Sequence, residues 1–96
     1  MIKSFGSKAT EELYHGIQSR EGRKIPDFIR KVAERKLDMI NTAAQLKDLS
    51  APPANRLEAL KGALRGKYSI RINDQYRVIF DFKDGNAYEV EITDYH

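Results

Sequence analysis

The sequence predicts an α+β fold, in which two helices pack on one face of a small antiparallel β-sheet. Apolar residues recur at helical spacing in the first half of the chain. The last thirty residues, 67–96, instead alternate apolar and polar side chains and are cut twice by short turn signals. A further short alternation at 2–5 indicates a strand before the helices. The predicted order, β-α-α-β-β-β, is typical of a two-layer domain, and we expect residues 1–96 to form one such domain.

Both predicted helices have recognisable ends. Ser7 is a good N-cap for a first helix over 8–15, which Gly16 ends. The second helix is predicted over 26–44 and begins with a proline, which needs no N–H at that position. The apolar residues of this second segment share helical spacing: Ile25, Phe28, Ile29, Val32, Leu37, Ile40, Ala43 and Ala44.

The connection from the helices to the sheet is less regular. Residues 50–55 (SAPPAN) are stiffened by two prolines and predict an irregular crossing segment. The next ten residues, 56–65, fit two structures: their leucines could form a helical stripe, whereas Gly62 and Gly66 favour an extended or looped piece. In neither case does the chain supply an element to cover the sheet face opposite the helices.

The register of the strands follows from the residues that must share the buried face. A three-residue loop at 73–75 pairs Ile70 with Val78. The same test predicts a second three-residue loop at 84–86, which keeps apolar residues opposite each other in two more pairs: Phe82 with Tyr88, and Phe80 with Val90.

This register gathers polar groups on the other face of the sheet. Arg71 lies opposite Arg77, and Tyr95 is a diagonal neighbour of Arg77. Like charges opposite each other are unfavourable, but two adjacent guanidinium groups suit a phosphate. The alternative is that each arginine pairs with an acidic side chain and only keeps an open face solvated. Strand parity sends Asp94 and His96 toward the opposite face.

The charges are unevenly distributed along the chain. Six basic and two acidic residues lie between Arg56 and Arg77, whereas residues 84–96 contain four acidic residues and no Lys or Arg. A localised basic block predicts a binding site for a polyanion, although a solvated basic loop would give the same count. The candidate RNA-binding residues of this block are Arg56, Lys61, Arg65, Lys67 and Arg71.

The residue types narrow the possible chemistry. The chain has no cysteine, its two histidines are far apart, and it contains no HExxH, nucleophile-elbow or glycine-rich phosphate motif, so we expect no metal and no cofactor. Metal-free RNA cleavage needs a base for the 2′-OH, cations for the charged phosphorane and an acid for the leaving oxygen. Arg71 and Arg77 can supply the cations, and His96 can act as acid or base near neutral pH. Tyr95 can act as a weak base or stack on a nucleobase.

No leader or membrane segment is evident. The first residues, MIKSFGSK, lack an apolar h-region, and no apolar run is long enough to span a bilayer. These observations predict a cytoplasmic protein without a membrane partner.

Several stretches resemble the HigB toxins of the RelE/ParE superfamily: MIKSF, VAERKLDMINTAAQLKDL, LKG, YSIRINDQYRVIF and ITDYH. The PPANRLEAL segment resembles the GraT-like branch of that family. The resemblance implies a RelE-like fold and a ribosome-dependent endonuclease that cuts mRNA in the A site of the 70S ribosome. It also implies a HigA-type helix-turn-helix antitoxin as partner, with operator DNA contacted only indirectly through that antitoxin.

The resemblance also assigns site residues. Arg77 matches the family's strand arginine, and Lys61 matches a basic residue of the cleft. The family's C-terminal catalytic residues are matched by Asp94, Tyr95 and His96. Many HigB toxins carry a histidine where this chain has Glu58, so the resemblance implies that Glu58 transfers the proton, that Tyr95 and His96 do so together, or that the toxin is weak.

Two other functions stay open on the sequence alone. The ParE branch of the superfamily inhibits DNA gyrase, and the same fold serves both activities, so the fold cannot decide between them. The blander alternative is an RNA-binding module without catalytic activity.

Overall fold

The computed structural model describes residues 1–94 and places two helices on one face of a four-stranded antiparallel sheet. The helices are α1 (Lys8–Tyr14) and α2 (Asp27–Thr42). The strands, in sheet order, are β1 (Glu58–Ala59), β2 (Tyr68–Arg71), β3 (Tyr76–Lys83) and β4 (Asn86–Asp94). The predicted three-stranded meander is thus confirmed, with β1 added at its edge.

The helices begin and end close to the predicted positions. The Ser7 hydroxyl caps α1 by accepting the N–H of Thr10 at 3.2 Å. In α2 the buried apolar residues repeat at one face of the helix: Ile29, Ala33, Leu37 and Ile40. Phe28 was predicted in this stripe but is 74% exposed, because it lies about 100° around the helix from Ile29. Within residues 1–94 no helix combines the length and the apolar character needed to cross a membrane.

The N-terminal residues lie along the outer edge of β4. Ile2 and Phe5 form isolated parallel bridges with Ala87 and Val90, in place of the continuous strand predicted at 2–5. The Lys3 N–H donates to the Ala87 carbonyl at 2.8 Å. These bonds occupy the exposed edge of β4.

The two hairpins differ in how well the sequence predicted them. Between β2 and β3, Ile70 pairs with Val78 and Arg71 with Arg77, as predicted. Between β3 and β4 the predicted three-residue loop is wrong. The turn has two residues, Asp84 and Gly85, both with positive φ (52° and 78°), as a primed hairpin turn requires.

A β-bulge then restores the predicted register. The shorter turn pairs Asp81 with Tyr88, which puts Tyr88 on the face opposite to Val90 and corrects the predicted Phe82–Tyr88 pair. The ladder shifts between Ile79 and Asp81, and Glu89 there takes a φ of 53°. Beyond the bulge the pairs agree again with the prediction, with Thr93 opposite Arg77.

The sheet face away from the helices is partly covered, contrary to the prediction. Ser69, Ile79 and Leu60 are all buried, and neither Ile79 nor Leu60 belongs to the main core cluster. Residues 56–65 take the extended alternative, with β1 followed by a 3-10 turn at Gly62–Leu64. Because β1 pairs with β2, Glu58 lies directly opposite Ser69 on this face.

Asn55 fixes the start of residues 56–65, the segment that partly covers this face of the sheet. Its buried amide donates to the carbonyls of Leu49 (3.1 Å) and Ala51 (3.3 Å) and accepts from the ammonium of Lys36 on α2. Burial lowers the pKa of Lys36, and the charge of Arg35 lowers it further. The next residue, Arg56, is left-handed with a φ of 46°. The connection is therefore tied to α2 just before it delivers the residues of β1.

Replacing Asn55 by alanine should lower the free energy of unfolding by about 2–3 kcal/mol, because two carbonyls and a buried ammonium lose their partner. Urea unfolding followed by circular dichroism measures this. Asn86→Ala is the matched control: its amide donates to the Asp84 carbonyl at 3.3 Å in an exposed turn, and its effect should stay within about 0.5 kcal/mol. Equal losses of unfolding free energy in the two variants would contradict the role of Asn55 as the residue that ties the connection to α2.

Candidate active site

A basic cleft of about 290 Å³ opens on the sheet face away from the helices, where β1, β2 and β3 lie side by side. Among residues 1–94, three arginines, two carboxylates and one amide line it: Arg56, Arg71, Arg77, Glu58, Asp74 and Asn73. The structure therefore brings together the two strand arginines, as the register predicts. Glu58 of β1, a candidate residue named through the family resemblance, lies in the same cleft.

Arg77 is held by the chain's own acceptors. It is only 9% exposed, and its guanidinium reaches across β2 to β1. Nη1 donates to Glu58 Oε1 at 2.7 Å and to Ser69 Oγ at 3.0 Å, and Nη2 makes a longer contact to the Arg56 carbonyl at 3.4 Å. Charge-assisted bonds of this kind fix a guanidinium in one orientation. Arg77 is thus paired with an acidic side chain, which was the alternative to phosphate binding in the sequence analysis.

Glu58 combines this fixed position with access to the cleft. Its pairing with Ser69 across β1 and β2 aims the side chain onto the same face as Arg77. One carboxylate oxygen is bound to Arg77, while the side chain as a whole is 53% exposed. A carboxylate that is oriented by a cation and still open to solvent can take up a proton from a bound ligand.

Arg71 is held less firmly than Arg77. Its Nη2 pairs with Asp74 across the β2–β3 turn, and that aspartate side chain is 96% exposed. The turn is shaped by Asn73, whose side-chain oxygen accepts the N–H groups of Gln75 (2.8 Å) and Tyr76 (2.7 Å). Exposed ion pairs contribute about 0–1 kcal/mol, so Arg71 can exchange Asp74 for a phosphate at little cost.

Other predicted residues lie outside the basic cleft. Lys67 pairs with Asp81 at 2.9 Å, while Lys61 and Arg65 are exposed on the segment that follows β1. Asp94 lies opposite Tyr76, on the sheet face away from Arg77, as strand parity predicts. Its carboxylate accepts a bond from the Gln75 side-chain amide at 3.0 Å.

Two members of the predicted site fall beyond residue 94. Tyr95 and His96 lie outside the described residues, so their place beside Arg77 stays a prediction.

Three residues at this site were not singled out from the sequence: Ser69, Asn73 and Asp74. Ser69 has the strand parity of Arg71, so the register itself contained the signal that it shares the face of the arginines. A lone serine in a strand carries neither a charge nor a periodic apolar signal, so only the register points to it.

The model of a protein family, described as the RelE-like toxin of the type II toxin-antitoxin system HigB, matches residues 3–96 of the chain. The chain belongs to the HigB family of toxins. Toxin HigB-1 of Vibrio cholerae serotype O1 is 41% identical over 87 residues, which cover 91% of this chain and 90% of that protein. Endoribonuclease HigB of Proteus vulgaris is 31% identical over 101 positions and is matched along the whole of both chains.

Solved structures agree on the fold of this HigB-family chain. One chain of the YoeB-YefM complex from Staphylococcus aureus superposes with a TM-score of 0.61 at 21% identity, covering 100% of this chain and 98% of that one. A chain of the heterotetrameric YoeB-YefM toxin-antitoxin complex from the same organism gives a TM-score of 0.56 at 23% identity, with the same coverage. The predicted RelE-like fold is confirmed.

Proposed function

We propose that this type II toxin, an mRNA endonuclease, works without a metal ion and cleaves mRNA in the A site of the 70S ribosome. Membership of the HigB family and the likeness to Endoribonuclease HigB support RNA cleavage. One observation supports the chemistry: a solvent-accessible carboxylate, Glu58, bound at 2.7 Å to the buried guanidinium of Arg77 inside a basic cleft.

Cleavage begins with attack of the 2′ oxygen of the RNA on the adjacent phosphorus. Glu58 takes the 2′-OH proton as general base. The negative charge of the phosphorane develops beside Arg77, whose orientation is already fixed, and such preorganised charge stabilises a transition state without reorganisation. Arg71 leaves Asp74 and binds a phosphate oxygen. The bond to the 5′ oxygen breaks, which gives a 2′,3′-cyclic phosphate and a 5′-hydroxyl end.

The C-terminal residues complete the reaction in this proposal. His96 gives a proton to the leaving 5′ oxygen as general acid, and Tyr95 stacks on a base of the mRNA. Asp94 supports them indirectly, since its bond to the Gln75 amide anchors the end of β4.

The basic residues predicted from the charge block bind the RNA backbone. Arg56 and Arg71 do so from inside the cleft, and Lys61, Arg65 and Lys67 from outside it. Lys67 pairs with the partly exposed carboxylate of Asp81 in the free protein, and we expect a phosphate to replace that partner. Such contacts hold the strand without reading its sequence.

The proposed partner is a HigA-type helix-turn-helix antitoxin. Both structural neighbours come from toxin–antitoxin complexes, which supports an antitoxin partner for this chain. The antitoxin neutralises the toxin and carries the pair to operator DNA, which the toxin contacts only indirectly. The proposed place of action is the cytoplasm, where the ribosome lies.

Primer extension on mRNA from a purified translation system tests this function. We expect cuts in register with codons when ribosomes translate, and no cuts on the same mRNA without ribosomes. Lys31→Ala, on the exposed face of α2, should cleave like the wild type. Intact mRNA together with gyrase-dependent DNA breaks would support the ParE-like alternative, and RNA binding without cuts would support the non-catalytic module.

A further inference from the structure

We infer that Ser69 is a positioning residue of the cleavage site: its hydroxyl holds the Arg77 guanidinium, and through it the Glu58 carboxylate, in the reactive arrangement. This inference rests on the proposed function, since it concerns the same cleft. It assigns a role to a buried polar residue that neither contacts the RNA nor carries a charge.

The three residues come from three adjacent strands: Ser69 pairs directly with Glu58, and Arg77 is a diagonal neighbour of Ser69. Ser69 lies on β2, between Glu58 on β1 and Arg77 on β3, and it is 0% exposed. A single nitrogen of Arg77, Nη1, donates to both partners, at 3.0 Å to Ser69 Oγ and 2.7 Å to Glu58 Oε1. A guanidinium nitrogen of this type carries two hydrogens, so these two bonds use its whole donor capacity.

The serine hydroxyl stabilises a guanidinium that stands close to another positive charge. Arg71 stands directly opposite in the ladder and repels Arg77. The Ser69 hydroxyl adds a fully buried acceptor to the half-exposed Glu58 carboxylate and the 3.4 Å contact with the Arg56 carbonyl.

The small size of the Ser69 side chain is as important as its hydroxyl for the position of Arg77. Because Ser69 pairs with Glu58 in the ladder, an arginine side chain that runs from β3 to Glu58 passes over Ser69. A small side chain at that position leaves the path open, and its hydroxyl accepts a bond from the same Nη1 that reaches Glu58.

The test is Ser69→Ala, measured by single-turnover cleavage of ribosome-bound mRNA. We expect kcat to fall about 10- to 100-fold, the effect of a small displacement of a reacting group, with KM unchanged. In an Arg77→Lys background the same substitution should change kcat little, because the group that Ser69 positions is gone.

Ser7→Ala is the matched control. It removes a hydroxyl that caps α1 and bonds Thr10, so it should lower the Tm and leave kcat unchanged. The inference is overturned if folded Ser69→Ala cleaves at the wild-type rate, or if Ser69→Ala lowers kcat by the same factor in both backgrounds.

NMR of the Arg77 side chain supplies a readout that does not depend on activity. In the wild type, rotation about the Cζ–Nη bonds should be slow enough to give separate Nη–H signals, and in Ser69→Ala these signals should merge. Separate signals in Ser69→Ala would overturn the inference. Absence of wild-type cleavage would overturn the proposed function instead, and the NMR comparison would still decide whether Ser69 orders Arg77.

Discussion

Replacing Arg77 by alanine is expected to lower the rate of mRNA cleavage by about 100- to 1,000-fold, the usual effect of removing one preorganised group that stabilises developing charge. The substitution removes the cation beside the phosphorane and frees the Glu58 carboxylate from its 2.7 Å partner. Arg77→Lys should recover only part of the rate, because an ammonium cannot reproduce the planar guanidinium whose Nη1 joins Glu58 and Ser69 while Nη2 contacts the Arg56 carbonyl. Single-turnover cleavage on translating ribosomes measures both variants.

The fold must be monitored in the same experiment. Loss of Arg77 leaves the buried Ser69 hydroxyl without this donor, which should lower the free energy of unfolding by about 1–3 kcal/mol. Arg30→Ala is the matched control, since Arg30 also donates to chain acceptors, the carbonyls of Gly22 (2.9 Å) and Ile25 (3.2 Å), but belongs to α2. Arg30→Ala should lose stability and keep its cleavage rate. A folded Arg77→Ala protein that cleaves at the wild-type rate would remove Arg77 from the mechanism.

The register around Arg77 was predictable even though one of its two hairpins was not. The apolar pattern leaves one acceptable pairing between β2 and β3, and the structure shows it. Between β3 and β4, the predicted three-residue loop would give the same pairs beyond the bulge as the observed two-residue turn followed by a one-residue bulge. Thr93 therefore lies opposite Arg77 in both cases, and only the residues between turn and bulge, such as Tyr88, change face.

The partner of Arg77 depended on features that carry no periodic signal. Glu58 reaches the cleft because the connection before it is tied to α2 through Asn55 and then turns through the left-handed Arg56. Neither a buried amide nor a left-handed arginine follows from hydrophobic spacing. The family resemblance singled out Glu58 only because it stands where many HigB toxins have histidine, and the structure adds its 2.7 Å contact with Arg77.

Replacing Glu58 by glutamine should lower kcat by about 100- to 10,000-fold, the range for loss of a general base. Glutamine keeps a side-chain oxygen that can accept a bond from Arg77, but it cannot take the 2′-OH proton. Removing a negative charge from the cleft should at the same time strengthen RNA binding. A slower but tighter-binding enzyme is therefore expected, and single-turnover rates measured over a series of toxin concentrations separate the two effects.

Two further substitutions decide what the carboxylate does. Asp74→Asn removes the other acidic group of the cleft and should raise RNA affinity by less than about 5-fold without lowering kcat, because its pair with Arg71 is exposed. Glu58→His should recover part of the rate lost in Glu58→Gln, because histidine can accept a proton near neutral pH. If Glu58→Gln instead cleaves as fast as the wild type or faster, Glu58 only neutralises Arg77 in the free toxin. The base must then be sought at Tyr95 or His96.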